Sequence, residues 1–356
     1  MPKKNFPPKV GDGRFEVQDK LGEGCFGAVF LGKDKKSNSP VAVKFEDSQC
    51  GAPGSLAMEN SLLKQIGEPQ RPQGFAEVFF FGKVGSFTCM VMDLLGKSLE
   101  ECMEVCQGKM EASSAVLIAE QALRRIEYLH SKGVVHRDIK PENFMYGRGG
   151  KIHHLHLIDF GLSDTYFGRR HVCQSSGNSM VGTARYCSVN THKGINQTRR
   201  DDLEAIAHML IYFMRGALPW SGLKGARTEK EKYEMIGKRK ESIPPEELCA
   251  GMPSAFKFLL SYARALPFVE RPDYERLLHI FRKAKEELEI KSDHALQWLD
   301  ETMISSDLVP LDPYTTCLQP DDKVIVEDAA SQGRCFPFLW RTRQDDDAPP
   351  PAKDSE

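Results

Sequence analysis

The pattern of apolar residues changes near Gly96, and this change limits the possible folds more than any other feature. Five short segments before it show the alternation and the flanking turn residues of strands: 15–18, 28–31, 41–45, 77–81 and 88–92. One helical pattern, at 55–66, lies among them. Beyond Gly96 the period is mainly that of helices, at 113–132, 202–214, 254–266 and 273–290, with one short strand at 152–158. The pattern predicts an α+β fold.

These patterns divide the chain into three parts. A strand-rich lobe with one main helix is predicted for residues 11–95, and a helical lobe for residues 96–300. A length of 356 residues suits such a two-lobed unit with a sizeable core. Residues 1–10 are basic and proline-rich, so we expect a flexible lead. Residues 301–356 combine prolines with acidic clusters, which predicts a largely disordered tail.

The overall composition is that of an ordinary soluble protein, with 40% hydrophobic and 28% charged residues. A formal net charge of −2 gives no reason to expect nucleic acid or an anionic membrane surface as a partner. We expect neither a secretory signal nor a membrane-spanning helix, because no apolar run approaches the roughly 18 residues that a span needs. The ten cysteines form no Cys-x-x-Cys pair, which favours reduced thiols and a cytoplasmic or nuclear location.

Three glycines in the arrangement Gly22-x-Gly24-x-x-Gly27 lie between two predicted strands. In a dinucleotide-binding fold the same glycines would open a helix. Glycines in a turn between strands let backbone amides approach a polyphosphate, and Lys44 follows on the next strand. An ordinary hairpin explains the glycines alone, but the added lysine favours a nucleotide site. We predict that ATP contacts the turn and its flanks: Leu21, Gly22, Glu23, Gly24, Cys25, Phe26, Gly27 and Val29.

Lys44 would hold the α- and β-phosphates of ATP, and its long side chain needs a carboxylate to fix it. Glu59, 15 residues further on and inside the first predicted helix, is the candidate partner. Glu46 is the competitor, but it lies only two residues along the same strand and cannot reach across from a helix.

The run Val135-His136-Arg137-Asp138-Ile139-Lys140-Pro141-Glu142-Asn143 sets a carboxylate, an ammonium and a carboxamide at the spacing that phosphoryl transfer needs. Asp138 would receive the acceptor hydroxyl proton, and Lys140 would steady the moving phosphoryl group. Asp159, in Asp159-Phe-Gly161, follows a predicted strand. We predict that Asn143 and Asp159 bind Mg²⁺, because hard carboxylate and amide oxygens suit that ion.

Several further motifs resemble the eukaryotic protein kinases, and most closely the casein kinase 1 family. These motifs are Met90-Val-Met-Asp-Leu-Leu-Gly96, Arg125-Ile-Glu-Tyr-Leu-His130, Gly182-Thr-Ala-Arg-Tyr186, Asn190-Thr-His-Lys-Gly-Ile195, Arg199-Arg-Asp-Asp-Leu-Glu204 and Leu218-Pro-Trp-Ser-Gly-Leu-Lys224. Most kinases carry Ala-Pro-Glu where this chain has Ser188-Val-Asn190, and Ser-x-Asn is typical of the casein kinase 1 family. The resemblance covers about residues 10–300.

The resemblance implies a bilobal protein-kinase fold with ATP between the lobes. It identifies Asp138 as the catalytic carboxylate and Asp202 as a brace for the loop around it. It also implies a hinge against the adenine ring, with Met92, Asp93 and Leu95 as nucleotide contacts. Lys140, together with Thr183 in the substrate-positioning loop, resembles serine/threonine rather than tyrosine kinases.

Members of this family favour acceptor sites with an acidic or phosphorylated residue upstream, read by a basic pocket. By alignment Arg185, Lys232 and the backbone of Gly222 fall in that pocket. Ammonium and guanidinium groups are natural receptors for phosphate. Ser221 and Asn178 depart from the Gln and Lys that the family usually carries, which weakens the basic surface.

The leading hypothesis is therefore an active serine/threonine kinase that uses ATP and Mg²⁺ on protein substrates, and we expect a monomer. One alternative is a pseudokinase scaffold, which would usually lack the equivalents of Lys44, Asp138 or Asp159. Another is a small-molecule kinase, which should lack the motif 182–186. Ser331, three residues after Asp328, is a candidate autophosphorylation site.

Overall fold

The first lobe is a six-stranded antiparallel sheet with one helix against it. The bounds are β1 (Lys9–Val10), β2 (Phe15–Gly24), β3 (Gly27–Asp34), β4 (Pro40–Asp47), α1 (Ser55–Ile66), β5 (Val78–Val84) and β6 (Phe87–Asp93). The spatial order of the strands is β1-β2-β3-β4-β6-β5. The computed structural model describes residues 6–24, 27–47, 55–300, 302–304 and 307–312. They belong to one compact unit.

The alternation along the strands gives this sheet two apolar faces. On β3 and β4 buried and half-buried residues alternate, so that Phe30, Val43 and Phe45 point to one side. On that side they form a small core with Phe15 and Phe87. The other face packs against α1, whose buried leucines belong to a core that continues into the second lobe.

The second lobe is mainly helical. Its helices are α2 (Leu99–Val105), α3 (Ala112–Ser131), α4 (Val189–His192), α5 (Arg199–Arg215), α6 (Glu229–Ser242), α7 (Pro245–Leu248), α8 (Ser254–Ala265) and α9 (Tyr274–Glu287). Its short strands are β7 (Val134–Val135), β8 (Phe144–Tyr146), β9 (Leu155–Leu157) and β10 (Asp164–Thr165). Single 3₁₀ turns span Pro141–Asn143 and Gly149–Lys151. Helix α5 is buried on nearly every side, as its sequence predicted. The α+β prediction is confirmed.

Several predicted bounds are corrected by local hydrogen bonding. The strand predicted at 152–158 is only Leu155–Leu157, because the preceding residues form turns in which Ile152 N–H donates to Gly149 O (3.0 Å) and His154 N–H donates to Lys151 O (2.9 Å). Helix α5 begins three residues before the predicted Asp202, because Thr198 and Asp201 form a capping box.

Four helices were not predicted: α2, α4, α6 and α7. Helix α2 is short, and α6 carries charged residues on most of its surface, so neither shows an apolar period. Both begin with a local signal that the sequence does contain. Ser98 accepts from Glu101 N–H (3.2 Å) and Thr228 accepts from Glu231 N–H (3.1 Å), each a Ser/Thr-x-x-Glu cap.

Residues 307–312, part of the tail predicted at 301–356, lie against the second lobe and the α1–β5 connection. Val309 N–H donates to Gly150 O (2.8 Å), and its carbonyl lies 2.6 Å from His154 Nε2. Gln73 Nε2 donates to the carbonyl of Pro310 (3.0 Å). Most of the predicted tail, Ser331 included, lies outside the described residues.

No helix in the described ranges combines the length and apolarity that crossing a membrane requires.

Candidate active site

Lys44 on β4 and Glu59 on α1 form an ion pair between sheet and helix. Lys44 Nζ lies 2.6 Å from Glu59 Oε2 and 3.7 Å from Asp159 Oδ1. Burial lowers the pKa of Lys44, but the charges of Glu59 and Asp159 outweigh it and leave the pKa above its ordinary value. Burial raises the pKa of Glu59, and the charge of Lys44 offsets part of that effect. The structure therefore brings together the three charged residues predicted to face ATP and its metal ion.

Glu46, the competitor for Lys44, has a different contact. Its carboxylate accepts hydrogen bonds from Ser55 Oγ and, at 3.3 Å, from Leu56 N–H, at the start of α1. Glu46 thus satisfies orphan donors at a helix N-terminus, where a negative charge is also favourable. The prediction that Glu59 is the partner of Lys44 agrees with this geometry.

The turn between β2 and β3 requires a glycine at position 27. Gly24 and Gly27 face each other across the two strands, and Gly27 has φ +137°. A Cβ at Gly27 would lie 1.8 Å from Phe45 O, so any side chain would collide with the backbone of β4. This packing brings the turn directly onto the strand that carries Lys44. Cys25 and Phe26, predicted nucleotide contacts at its tip, lie outside the described residues.

The other predicted nucleotide contacts lie on the strands that flank this turn and on the hinge. Leu21, Gly22 and Glu23 are exposed near the end of β2, and Val29 is opposite Lys44 in the β3–β4 register. On β6, which leads into the hinge, Met92 and Asp93 are half-buried, and Leu95 follows the strand. Their contact with ATP stays a prediction.

Asp138 is held by three neighbours. Thr183 Oγ1 donates to Asp138 Oδ1 (2.7 Å), and Lys140 Nζ lies 2.6 Å from Oδ2. Asn143 Nδ2 donates to the Asp138 carbonyl (2.8 Å). Burial lowers the pKa of Lys140, but its hydrogen bond to Asp138 and the charges of Asp138 and Glu142 together outweigh this and keep the pKa above its ordinary value. The four side chains therefore form one hydrogen-bonded cluster.

Asp202 on α5 fixes the backbone that carries Asp138. Its carboxylate accepts from His136 N–H (2.7 Å) and Arg137 N–H (2.9 Å) and lies 2.9 Å from His130 Nε2. Arg137 has φ +67°, a conformation that is costly outside glycine and needs such support. The brace inferred from the resemblance is present in the structure.

Asp159 lies two residues after the end of β9 with φ +62°, and Phe160 after it is packed in the core. The Phe160 ring stacks near Phe75 (6.2 Å between centroids) and meets the edge of His136 (5.4 Å). The carboxylate of Glu59 also accepts a hydrogen bond from the Phe160 backbone. The packing of Phe160 thus fixes Asp159 on the same side as Lys44.

Arg137 forms an ion pair that was not predicted. Its Nη1 lies 2.8 Å from Asp164 Oδ2, and its Nε donates to Leu162 O (2.7 Å). Asp164 is on β10, which pairs with β7 immediately before the Asp138 loop. The ion pair joins this loop to the segment after Asp159, and no local pattern in the sequence signals it.

The segment 182–188 lies directly against the Asp138 loop. Gly182 has φ +95°, and a Cβ there would lie 2.2 Å from Arg137 O. This close approach brings the hydroxyl of Thr183 within hydrogen-bond distance of the Asp138 carboxylate. At the end of the segment, Ser188 Oγ donates to Asp201 Oδ1 (2.6 Å) and caps the short helix α4.

Asp201 gives a prediction for the pH dependence of stability. Burial raises the pKa of Asp201 from 3.8 to about 6, against the hydrogen bonds from Ser188 and Thr198. The folded chain therefore binds this proton more tightly than the unfolded chain, and the free energy of unfolding falls as pH rises from 3.8 to about 6. Asp201→Asn should reduce the fall by up to about 3 kcal/mol. Urea unfolding at several pH values measures it.

The matched control for that measurement is Glu246→Gln, which removes an exposed carboxylate from α7. It should leave the pH dependence of unfolding as in the wild type. An Asp201→Asn chain with the wild-type dependence would show that folding does not raise the pKa of Asp201.

The predicted substrate residues lie around the same segment. Arg185 is exposed, with its guanidinium 5.7 Å from the Tyr186 ring centroid and 5.8 Å from that of Tyr212. Gly222, with φ +70°, and Lys232 on α6 are also exposed. A shared anion site formed by Arg185 and Lys232 stays a prediction.

The departures from the family pattern are exposed as well. Asn178 Nδ2 donates to Ser175 Oγ (3.1 Å) and to Gly194 O (3.0 Å), so the side chain tethers its own loop. Ser221 is exposed beside Gly222. Neither residue supplies a positive charge to this surface.

Asn143 and Asp159 fit a magnesium ion by their donor chemistry. The Asn143 nitrogen is engaged by Asp138, which leaves the amide oxygen as its ligand atom. Ile158, next to Asp159, donates its N–H to the Asn143 carbonyl (3.0 Å), so the two predicted ligands belong to adjoining backbone. One carboxylate and one amide oxygen are the kind of partial shell that Mg²⁺ accepts when substrate phosphates complete it.

The family of the chain is shown by a comparison with family models. The model described as "Protein kinase domain" matches residues 15–281. This match includes both lobes and every predicted nucleotide, catalytic and substrate residue described above. The chain belongs to the protein kinase domain family.

Proposed function

We propose that this kinase transfers the γ-phosphate of ATP to serine and threonine hydroxyls of proteins, as an enzyme of casein kinase 1 type. The observation that carries the proposal is the cluster around Asp138, in which Thr183 Oγ1 and Lys140 Nζ each contact one carboxylate oxygen. A tethered carboxylate next to an ammonium can orient an acceptor hydroxyl and take its proton.

Some residues of the site would position the two substrates, and others would stabilise negative charge on the transferred phosphate. Lys44, held by Glu59, would bind the phosphates of ATP, and the turn at Gly27 would cover them. Lys140 would offset negative charge on the transferred group. Asp138 would first align the hydroxyl and then accept its proton. When bound at Asn143 and Asp159, Mg²⁺ would neutralise phosphate charge. Because the charged groups are held in place before the reaction, they need no reorganisation during it.

The proposed substrate class rests on the exposed cations beside this cluster. Arg185 and Lys232 are exposed, and a phosphate or carboxylate on a peptide could engage both with Gly222 N–H. Lysine two positions after Asp138, together with Thr183, supports serine or threonine as the acceptor. We further propose a monomer in the cytoplasm or nucleus.

Phosphate transfer to a peptide panel tests this proposal. Acidic and pre-phosphorylated serine peptides should be better substrates than a basic peptide, because their upstream negative charge meets Arg185 and Lys232. Arg185→Gln should lower kcat/KM for the pre-phosphorylated peptide by about tenfold, since a hydrogen-bonded charge pair contributes roughly 1.5–3 kcal/mol. The same change should leave kcat/KM for a peptide without upstream charge near the wild-type value.

The control is Lys230→Gln, which removes another exposed cation from α6 two residues before Lys232. It should change neither value. A preference for the basic peptide would contradict the proposed specificity, and nucleotide binding without any transfer would favour the pseudokinase alternative.

A further inference from the structure

Four successive backbone carbonyls after Thr183 accept hydrogen bonds from buried side chains. Lys240 Nζ donates to Ala184 O (2.8 Å) and to Cys187 O (2.6 Å). The carbonyls between them are bound in the same way. Trp220 Nε1 donates to Arg185 O (2.7 Å), and the Tyr186 carbonyl lies 2.8 Å from His208 Nδ1. The turn 184–187 is thus held by side chains from α5, from α6 and from the segment between these two helices.

Lys240 is the charged member of this set and the one that holds both ends of the turn. It is fully buried on α6. Besides the two carbonyls, its ammonium lies 3.9 Å from Cys187 Sγ and 5.3 Å from the centroid of the Trp220 ring. The three N–H groups of the ammonium therefore have two carbonyl oxygens as acceptors, and the polarisable Cys187 sulfur and Trp220 ring lie close by.

The charge of Lys240 has no direct carboxylate partner in the described part of the chain. Glu204 is the carboxylate whose charge acts on the pKa of Lys240, and it is engaged by Arg264, whose Nε lies 3.1 Å away. Burial lowers the pKa of Lys240, as expected for an ammonium that has lost its water. A buried ammonium without a carboxylate partner is costly unless it is hydrogen-bonded, and the hydrogen bonds of Lys240 all go to the turn 184–187.

We infer that Lys240 is a positioning residue for the phosphate acceptor, which it serves by fixing the turn 184–187 behind Thr183. This inference rests on the proposed function. Tyr186 and Cys187 N–H both donate to Thr183 O (3.0 Å each), so the turn determines where the Thr183 hydroxyl meets Asp138. Lys240 touches neither ATP nor the reacting atoms and would act only through this backbone.

The test is Lys240→Met in the full chain, with steady-state kinetics on a serine peptide and on ATP. Methionine keeps the length and apolar stem but removes the lysine donor from both carbonyls, which leaves Ala184 O with only the contact to His192 Nε2 at 3.3 Å. We expect KM for the peptide to rise by about tenfold, the factor that corresponds to about 1.4 kcal/mol. KM for ATP should stay within about twofold, because Lys44 and Glu59 belong to the other lobe.

Two further variants make the result specific. Trp220→Phe removes the donor to Arg185 O and part of the ring that contacts Lys240, and it should also raise KM for the peptide, which provides the test if Lys240→Met does not fold. Lys238→Met changes an exposed lysine on the same helix and should match the wild type. A purely structural role of Lys240 predicts a lower melting temperature and a smaller active fraction, measured by nucleotide titration, with both KM values unchanged.

Two outcomes would overturn the inference while the wild-type chain still phosphorylates the peptide. One is that structural pattern in Lys240→Met, with both KM values unchanged. The other applies if Lys240→Met does not fold, and is a Trp220→Phe chain with wild-type KM for the peptide. A wild-type chain that phosphorylates no peptide would overturn the proposed function and this inference with it.

Discussion

Asp138→Asn is expected to lower kcat for peptide phosphorylation by about 1,000-fold, within the range found for removal of a general base. Asparagine preserves the shape of the side chain and can still accept from Thr183 Oγ1, but it carries no charge and cannot take up the acceptor proton. It also loses the ion pair with Lys140. ATP affinity should change by less than about threefold, because phosphate binding is assigned to Lys44. Initial rates and nucleotide titration measure the two effects.

Glu142→Gln is the matched control, because Glu142 is an exposed carboxylate in the same loop. Its kcat should be that of the wild type. If Asp138→Asn kept more than about a tenth of the activity, the proton would have another acceptor, and the role given to Asp138 would be wrong.

Lys44→Met is expected to lower kcat/KM for ATP by about 100-fold, because it removes the phosphate ligand and leaves the carboxylates of Glu59 and Asp159 uncompensated. Glu59→Gln should cost about tenfold, since the lysine keeps its charge but loses its fixed position. The double variant should be no worse than Lys44→Met, because Glu59 acts through the lysine. Steady-state kinetics with varied ATP give all three values.

Lys36→Met, in the exposed turn between β3 and β4, is the control for a general loss of positive charge. It should have wild-type kinetics. Additive losses in the Lys44 and Glu59 variants would contradict the account, because they would mean that the two residues act independently.

The parts of the fold that follow from local periodicity were predictable. The alternation on β3 and β4 and the apolar surface of α5 come from residues whose burial repeats along the chain. Helix α6 was missed for the converse reason. Only Ile236, Gly237 and Lys240 are buried on it, too few to form an apolar stripe.

The charged residues of the site were predictable where a fixed spacing carries the chemistry. Asp138, Lys140 and Asn143 lie within one short loop, so their mutual contacts follow from the chain itself. The pair between Lys44 and Glu59 could be predicted because one helix follows one strand.

Long-range polar contacts had no such signal. Asp164 pairs with Arg137 across 27 positions, and Lys240 reaches Cys187 across 53. Sequence spacing does not report that an ammonium will be buried, because a lysine between charged neighbours has the pattern of a solvated helix face. Ser188 and Asp201 are another case, since their hydrogen bond depends on how α4 meets α5.

The most direct test is whether the chain transfers phosphate from ATP to serine and threonine. The full chain is incubated with Mg²⁺, ATP labelled at the γ-phosphate and three peptides. The peptides differ only in carrying serine, threonine or tyrosine as the acceptor. Mass spectrometry then identifies the modified residue. We predict phosphoserine or phosphothreonine with the wild-type chain, and about 1,000-fold less with Asp138→Asn under the same conditions. Phosphotyrosine alone, or no transfer while ATP binds, would contradict this prediction.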